Sequence, residues 1–254
     1  GRVKVSGVNK LKASYKVCEG DIIEIDIPDP VMTETKPQDI PLDIIYEDDE
    51  ILVINKPAGI ATQAGKVACK DLESECKKYR KEKGEKPEIY VVHRLDQPVS
   101  GILVFAKKKE SAAILSKGMS ADSFSKDYKA TVYKKGILLS EGTLTDYLLK
   151  DVKTNSSRVV SKETNGAKEA RLSYKVEEDF GDTANLLVHL QTGRHHQIRV
   201  QLANSNMPIV GDLKYGTKES TEYSKEKGIG SVQLCAYHLE FIHPKTKKKM
   251  VFSI

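Results

Sequence analysis

The sequence "VVHRLDQPVSGILVFAKK", residues 91–108, contains two apolar runs that enclose the charged tetrapeptide His93-Arg94-Leu95-Asp96. Runs of Val, Ile and Phe bounded by turn residues predict buried strands. A loop between two such strands can present one side chain to a ligand from a rigid scaffold. Asp96 is therefore either a functional carboxylate or a turn residue that caps the backbone of Gln97-Pro98. The loop alone leaves both interpretations open.

The composition bounds the class of protein. A chain of 254 residues with 39% hydrophobic content can form one large domain, or one domain with a small appendage. No apolar stretch approaches the roughly 18–20 residues that span a bilayer, and the first residues lack the apolar core of a secretory signal. We therefore expect a cytoplasmic, globular and monomeric protein. The cysteines form no C-x-x-C pair and predict neither a zinc site nor a disulfide framework: Cys18, Cys69, Cys76 and Cys235.

The positive charge is unevenly distributed along the chain. The net charge is +5, of which residues 1–27 contribute +1 and residues 28–50 contribute −7, which leaves +11 for residues 51–254. A basic surface favours polyanionic partners, because each neutralised phosphate releases counterions. Lysine runs can equally be solvated faces. Charge alone therefore suggests a nucleic-acid partner without establishing it.

The chain divides into three parts by its patterns. Residues 1–27 alternate apolar and polar residues and predict a small β-rich unit. Residues 28–41 contain four prolines and predict a linker. Residues 42–254 mix strands and helices without a regular βαβ repeat, which favours the α+β class. Helices are predicted at 70–84, 110–119 and 196–204, a hairpin at 44–57, strands at 88–96 and 101–108, and a late strand pair at 232–244.

Two further stretches could carry chemistry. "SKDYKATVY", residues 125–133, places Tyr128 among lysines, where the ring could stack on a base or simply belong to the core. "QTGRHHQIRVQLA", residues 191–203, concentrates hydrogen-bond donors where a turn enters a helix. These donors could bind a carboxylate or a phosphate, and we favour this interpretation over a purely structural role. The donors are Arg194, His195, His196, Gln197 and Arg199.

These stretches resemble a known family. "HRLDQPVSG" resembles the H-R-L-D-x-x-T-S-G signature of the RluA-type pseudouridine synthases, and "KDYKA", "TGRHHQIRVQL", "PIVGDLKYG" and "LCAYHLEFIHP" resemble the family's other motifs in the same order. The resemblance covers residues 44–254. Residues 1–27 resemble the second half of the small ribosomal-protein-type RNA-binding module that often precedes this catalytic domain. Val99 stands where the family usually has threonine.

The resemblance implies an α+β catalytic domain with a mixed, largely antiparallel sheet, peripheral helices and a central RNA-binding cleft. The implied activity is the isomerisation of uridine in RNA to pseudouridine, by detaching uracil at N1 and rejoining it through C5. This chemistry needs an unprotonated nucleophile, and it needs neither a metal nor another cofactor. Large-subunit ribosomal RNA is the expected substrate, with transfer RNA as the alternative.

Four residues match positions with a role in the family. Asp96 matches the nucleophile, Arg199 the arginine that keeps it ionised, and Tyr128 the tyrosine that packs against the target base. A base must leave its stack before Asp96 can reach it. Arg94 would then fill the vacated space. Arg194 and Gln197 are assigned to RNA contacts or to ordering of their loop.

Two other classes of function compete with this interpretation. A non-catalytic RNA-binding protein would need the basic face but not the combination of Asp96, Tyr128 and Arg199. A glycosidase-type hydrolase would use two carboxylates across the scissile bond. The nearest second carboxylates, Asp127 and Asp212, look like turn residues.

Overall fold

A computed structural model describes residues 3–7, 15–25, 40–65, 71–119, 123–134, 136 and 138–254. The chain forms two compact units, Gly1–Glu34 and Thr35–Ile254. Most of the predicted linker and Cys69 lie outside the described residues. The predicted boundaries of the three parts therefore stay predictions.

The first unit contains a two-stranded antiparallel sheet. Strands β1 (Val3–Val5) and β2 (Ile23–Ile25) pair in the register Val3 to Ile25. The turn before β2 is held by Asp21, whose carboxylate accepts hydrogen bonds from the Cys18 N–H and the Ser6 hydroxyl. These strands agree with the alternating pattern of residues 1–27.

The second unit contains four helices and eleven strands among its described residues. The helices are α1 (Leu72–Glu82), α2 (Lys109–Met119), α3 (Gln197–Asn204) and α4 (Lys218–Glu226). The strands are β3 (Asp43–Glu47), β4 (Ile51–Lys56), β5 (Tyr90–Val91), β6 (Ser100–Ala106), β7 (Phe124–Tyr133), β8 (Glu141–Asp151), β9 (Ser156–Val160), β10 (Lys168–Asp179), β11 (Thr183–Leu190), β12 (Leu234–Ile242) and β13 (Lys249–Ser253).

One mixed sheet organises this unit. Its order is β3-β4-β6-β12-β7-β11-β10-β8-β9, with β13 beside β12 and β5 beside β6. The pairing of β12 with β6 is parallel, and the other pairings among the described strands are antiparallel. The expected α+β class with a largely antiparallel sheet is confirmed. No helix among the described residues is long and apolar enough to cross a bilayer.

Both faces of the sheet are covered, because side chains on a strand alternate between the faces. On β6, Leu103 and Phe105 join a cluster with Leu72 of α1, whereas Ile102 and Val104 join a second cluster with Leu115 of α2. The helices thus lie at the periphery of the sheet, as expected. Residues 91–108 include β6, which like β4 is buried on both faces.

Helix α1 has capping residues and charges that suit both of its ends, and Gly84 follows it as predicted. The Asp71 carboxylate accepts a hydrogen bond of 2.9 Å from the Ser74 N–H at the first turn, where acidic groups also suit the helix dipole. Arg80 and Lys81 lie in the last turn, and Gly84 follows in a left-handed conformation with φ of 76°.

Gly101 allows the two halves of the sheet to join. Its φ is 116°, and a Cβ at this position would lie 2.3 Å from the carbonyl oxygen of Ala236 on β12. A side chain here would therefore push β6 away from β12. This close strand contact requires the glycine of the opening stretch, directly after the loop that contains Asp96.

Three local predictions were incomplete or wrong. The strand predicted at 88–96 is limited to Tyr90–Val91, because the chain then turns into the loop of Asp96. The predicted late pair at 232–244 is one strand, β12, and its partner is β13. Strands β8 and β9 were not predicted, because their exposed, polar residues carry a weak alternation.

Candidate active site

Asp96 lies on a tightly held loop between β5 and β6. Thr62 Oγ1 donates to the Leu95 carbonyl at 2.9 Å and accepts from the Leu95 N–H at 3.2 Å. The fully buried ammonium of Lys56 donates to the carbonyl oxygens of Pro57, Ile60 and Gln97 at 2.9, 2.7 and 3.2 Å. Burial lowers the pKa of Lys56 to about 8, against the opposing effect of the Asp96 charge. The loop backbone is thus fixed from both sides.

The structure brings Arg199 and Asp96 together, across 103 residues of sequence. Arg199 Nη1 donates to Asp96 Oδ2 at 3.3 Å. The stronger partner of Arg199 is Asp212, which accepts from Nε at 2.6 Å and from Nη2 at 2.8 Å. Burial lowers the pKa of Arg199, but Asp212 and then Asp96 outweigh it, so that the net shift is upward. The guanidinium is a permanent cation between two carboxylates.

Asp212 is therefore more than a turn residue. Its Oδ1 does accept the backbone N–H groups of Lys214 and Tyr215, as in a turn. However, its side chain is 1% exposed and holds Arg199 in a two-point contact. A buried arginine needs a partner of opposite charge. The position of Asp212 in the "PIVGDLKYG" motif was the one sequence feature that could have indicated this role.

The carboxylate of Asp96 stays accessible. Its side chain is 26% exposed, whereas Arg199 is 5% exposed. The imidazole of His196 lies on the same side as Arg199, with Nε2 3.7 Å from Asp96 Oδ2. Asp96 therefore has protein groups around one oxygen and an open approach to the carboxylate.

Tyr128 lies on β7 in the main core cluster and is 6% exposed. Burial raises its pKa, and the charge of Asp96 raises it further. The ring is therefore close enough to sense the Asp96 charge, and its hydroxyl is protonated at neutral pH. Asp127 points to the other face of β7 and pairs with His189 at 2.5 Å.

His93 attaches the loop of Asp96 to strand β6. Its Nε2 accepts a hydrogen bond of 3.2 Å from the Val104 N–H, and its ring meets the edge of Phe124 at 5.3 Å. Burial lowers its pKa to about 3, and Lys126 adds to this shift. The imidazole is neutral at physiological pH, as its acceptor role requires.

The three residues assigned to RNA lie in different environments. Arg94 is exposed, and no hydrogen bond or ion pair of its side chain is found among the described residues. Arg194 is exposed and donates from Nε to the Glu169 carbonyl at 2.7 Å. Gln197 is 3% exposed, and its amide contacts Thr192, Arg194 N–H and the Arg171 carbonyl. These contacts support the loop-ordering alternative for Gln197.

Comparison with known proteins finds one family over most of the chain. Residues 50–204 match the family model described as RNA pseudouridylate synthase. The chain is 33% identical over 252 residues to ribosomal large subunit pseudouridine synthase D of Xylella fastidiosa, covering 96% of this chain and 74% of that protein. It is 34% identical to an uncharacterised RNA pseudouridine synthase of Aquifex aeolicus, covering 100% and 82%.

The fold also has solved counterparts. The structure of human RNA pseudouridylate synthase domain containing 1 superposes with a TM-score of 0.67 at 21% identity, covering 84% of this chain and 83% of that one. Human RNA pseudouridylate synthase domain containing 4 gives the same score and identity over 83% and 87%.

Proposed function

The chain belongs to the RNA pseudouridylate synthase family and so isomerises uridine in RNA, and we propose that Asp96 is the nucleophile of this reaction. The observation that carries the proposal is the contact of Asp96 with Arg199 in a site that leaves the carboxylate partly exposed. The guanidinium is a cation that attracts and orients the negative charge of the Asp96 carboxylate. An ionised carboxylate can attack the ribose C1′ or the base C6.

Tyr128 is the proposed platform for the target base. Its ring lies in the same core cluster as Leu95, next to Asp96, and the charge of Asp96 helps to raise the pKa of its hydroxyl. A hydroxyl that is protonated at neutral pH can accept the C5 proton only while it passes its own proton to another base. If Asp96 attacks C1′, formation of the C1′–C5 bond breaks the ester and releases the carboxylate, which can then take the hydroxyl proton while the hydroxyl takes the C5 proton.

Arg94 is proposed to contact the RNA around the flipped base. It lies two residues from Asp96 on the same loop, and its exposed side chain is available for a phosphate or for the space that the base leaves. Arg194, which is also exposed, is proposed to contact the RNA backbone. Basic groups near the site, including Lys150 and Lys214, contribute to the positive field that lowers the pKa of His196.

The proposed substrate is large-subunit ribosomal RNA. This proposal rests on similarity to relatives such as the ribosomal large subunit pseudouridine synthase D of Xylella fastidiosa, and it implies a cytoplasmic enzyme. We further propose that the enzyme acts as a monomer, since Asp96, Arg199 and Tyr128 all come from one chain. Mapping pseudouridine across total RNA with and without the protein would distinguish ribosomal from transfer RNA.

Asp96→Asn tests the nucleophile, with Asp127→Asn as the matched control. Asn keeps the volume and removes the charge, so that folding and RNA binding should be retained while turnover falls by several orders of magnitude. Asp127→Asn should leave turnover unchanged, because its carboxylate lies on the opposite face of β7. Activity of Asp96→Asn within tenfold of wild type would refute the proposal.

A further inference from the structure

The imidazole of His196 has no role in the reaction described above, although it lies beside Asp96. His196 immediately precedes α3 and has a left-handed backbone, with φ of 54°. Its side chain makes no capping hydrogen bond to the helix. A non-glycine residue in this conformation whose side chain does not cap the helix suggests that the fold places the ring for another purpose.

A chain of hydrogen bonds determines which ring nitrogen carries the proton. The Ser157 N–H, on the edge strand β9, donates to Tyr215 Oη at 2.9 Å. Tyr215 Oη lies 2.7 Å from His196 Nδ1. A backbone N–H can only donate, so the phenol must use its own hydrogen elsewhere. Among the described residues, His196 Nδ1 is the acceptor that it reaches.

If the phenol donates this hydrogen to Nδ1, the proton of the neutral ring lies on Nε2, the nitrogen that faces Asp96. Nε2 lies 3.7 Å from Asp96 Oδ2, the same oxygen that Arg199 Nη1 contacts at 3.3 Å. Hydrogen bonds in an active site are often long without substrate and shorten in the complex. Both donors approach one oxygen, which leaves Oδ1 without these partners.

The surroundings keep this donor neutral. Burial lowers the pKa of His196 to about 4, and Arg199, Lys214 and Lys150 lower it further against the opposing charge of Asp212. His195 stacks on the ring at 3.7 Å between centroids and is itself held by Ser157 Oγ. A neutral N–H can orient the carboxylate without adding a second cation, which would reduce its nucleophilicity.

We propose that His196 is a positioning residue, whose tautomer is fixed by Tyr215 and whose Nε2–H holds Asp96 Oδ2 so that Oδ1 faces the ribose. The inference rests on the proposed role of Asp96 as nucleophile. It assigns separate tasks to the two carboxylate oxygens: Oδ2 receives Arg199 and His196, and Oδ1 forms the bond to the nucleotide.

Two amide substitutions separate this role from a backbone role. The amide nitrogen of Gln can occupy the place of Nε2, whereas that of Asn reaches only the place of Nδ1. Asn, in contrast, tolerates the left-handed conformation better than Gln. His196→Gln should therefore retain kcat within tenfold, although its melting temperature falls. His196→Asn should be at least as stable as His196→Gln, yet lose kcat about a hundredfold with little change in KM.

The opposite orders of stability and turnover are the test. If turnover follows the melting temperature, so that Asn is as active as Gln or more active, His196 has only a backbone role and the inference is wrong. Asp96→Asn, measured on the same RNA, tests the proposed function separately. An inactive Asp96→Asn together with equal activity of both His196 variants would overturn this inference alone.

Discussion

Asp212→Asn should destabilise the protein and impair catalysis together, because it removes the main partner of Arg199. The two side chains are 1% and 5% exposed and make hydrogen bonds of 2.6 and 2.8 Å. Asn keeps the volume and one acceptor oxygen, but it leaves the guanidinium with a single nearby carboxylate, Asp96, among the described residues. Arg199 should then shift toward Asp96 and neutralise it more strongly.

The expected loss of stability follows from the burial of the pair. Breaking a buried ion pair costs about 3–5 kcal/mol, and the remaining contact with Asp96 at 3.3 Å favours the lower value of about 3 kcal/mol. For a domain of this size, 3 kcal/mol lowers the melting temperature by roughly 6–12 °C. Turnover should fall about tenfold to a hundredfold, which corresponds to about 1.4–2.7 kcal/mol.

Urea denaturation and single-turnover kinetics on the same preparation measure both effects. The matched control is Asp127→Asn, which removes the carboxylate from a half-exposed pair with His189 and should change stability by less than about 1 kcal/mol. If Asp212→Asn lowers the free energy of unfolding by no more than this control, the buried pair does not stabilise the fold. If turnover is unchanged, Arg199 does not depend on Asp212 for its orientation.

Two further predictions concern Tyr128 and His93. Tyr128→Phe should bind RNA and cleave the N-glycosidic bond, but it should release tritium more slowly from RNA that is tritiated at C5. Tyr128→Ala should in addition bind the target uridine about 1–3 kcal/mol more weakly. If Tyr128→Phe releases tritium at the wild-type rate, Tyr128 has only the stacking role. The pKa of His93 is about 3 in the folded protein, against an ordinary value of 6.5. Between these pH values the unfolded chain binds more protons than the folded chain. The free energy of unfolding therefore falls as the pH falls through this window, by about 1.4 kcal/mol per pH unit. His93→Gln should remove this contribution from a pH series of urea denaturation curves, and an unchanged slope would contradict it.

Local patterns were sufficient for the fold class. An apolar face and the terminal Gly84 predicted α1, and apolar runs predicted β4 and β6, because these signals act over a few residues. The proximity of Asp96 to Arg199 followed from the family motifs rather than from spacing, since 103 residues separate them.

The partners of the site residues were harder to predict. Asp212 was interpreted as a turn residue because its backbone contacts are local, while its contact with Arg199 depends on the tertiary fold. Lys56 falls inside the hairpin predicted at 44–57, and its buried ammonium contacts the loop that contains Asp96. No local pattern shows that a lysine is held by three carbonyl groups from two separate segments.

The position of β12 has a consequence for how an active molecule forms during synthesis. This strand comes near the end of the chain, yet it fills the gap between β6 and β7 in the middle of the sheet. Domains emerge from the ribosome from their N-terminus. The edges of β6 and β7 that later pair with β12 therefore stay unpaired until residues 234–242 have been synthesised. Chemical competence and protection from strand-edge aggregation therefore arise in the same late step. A nascent chain that stalls before β12 would contain Asp96, Arg199 and Asp212 and still be inactive.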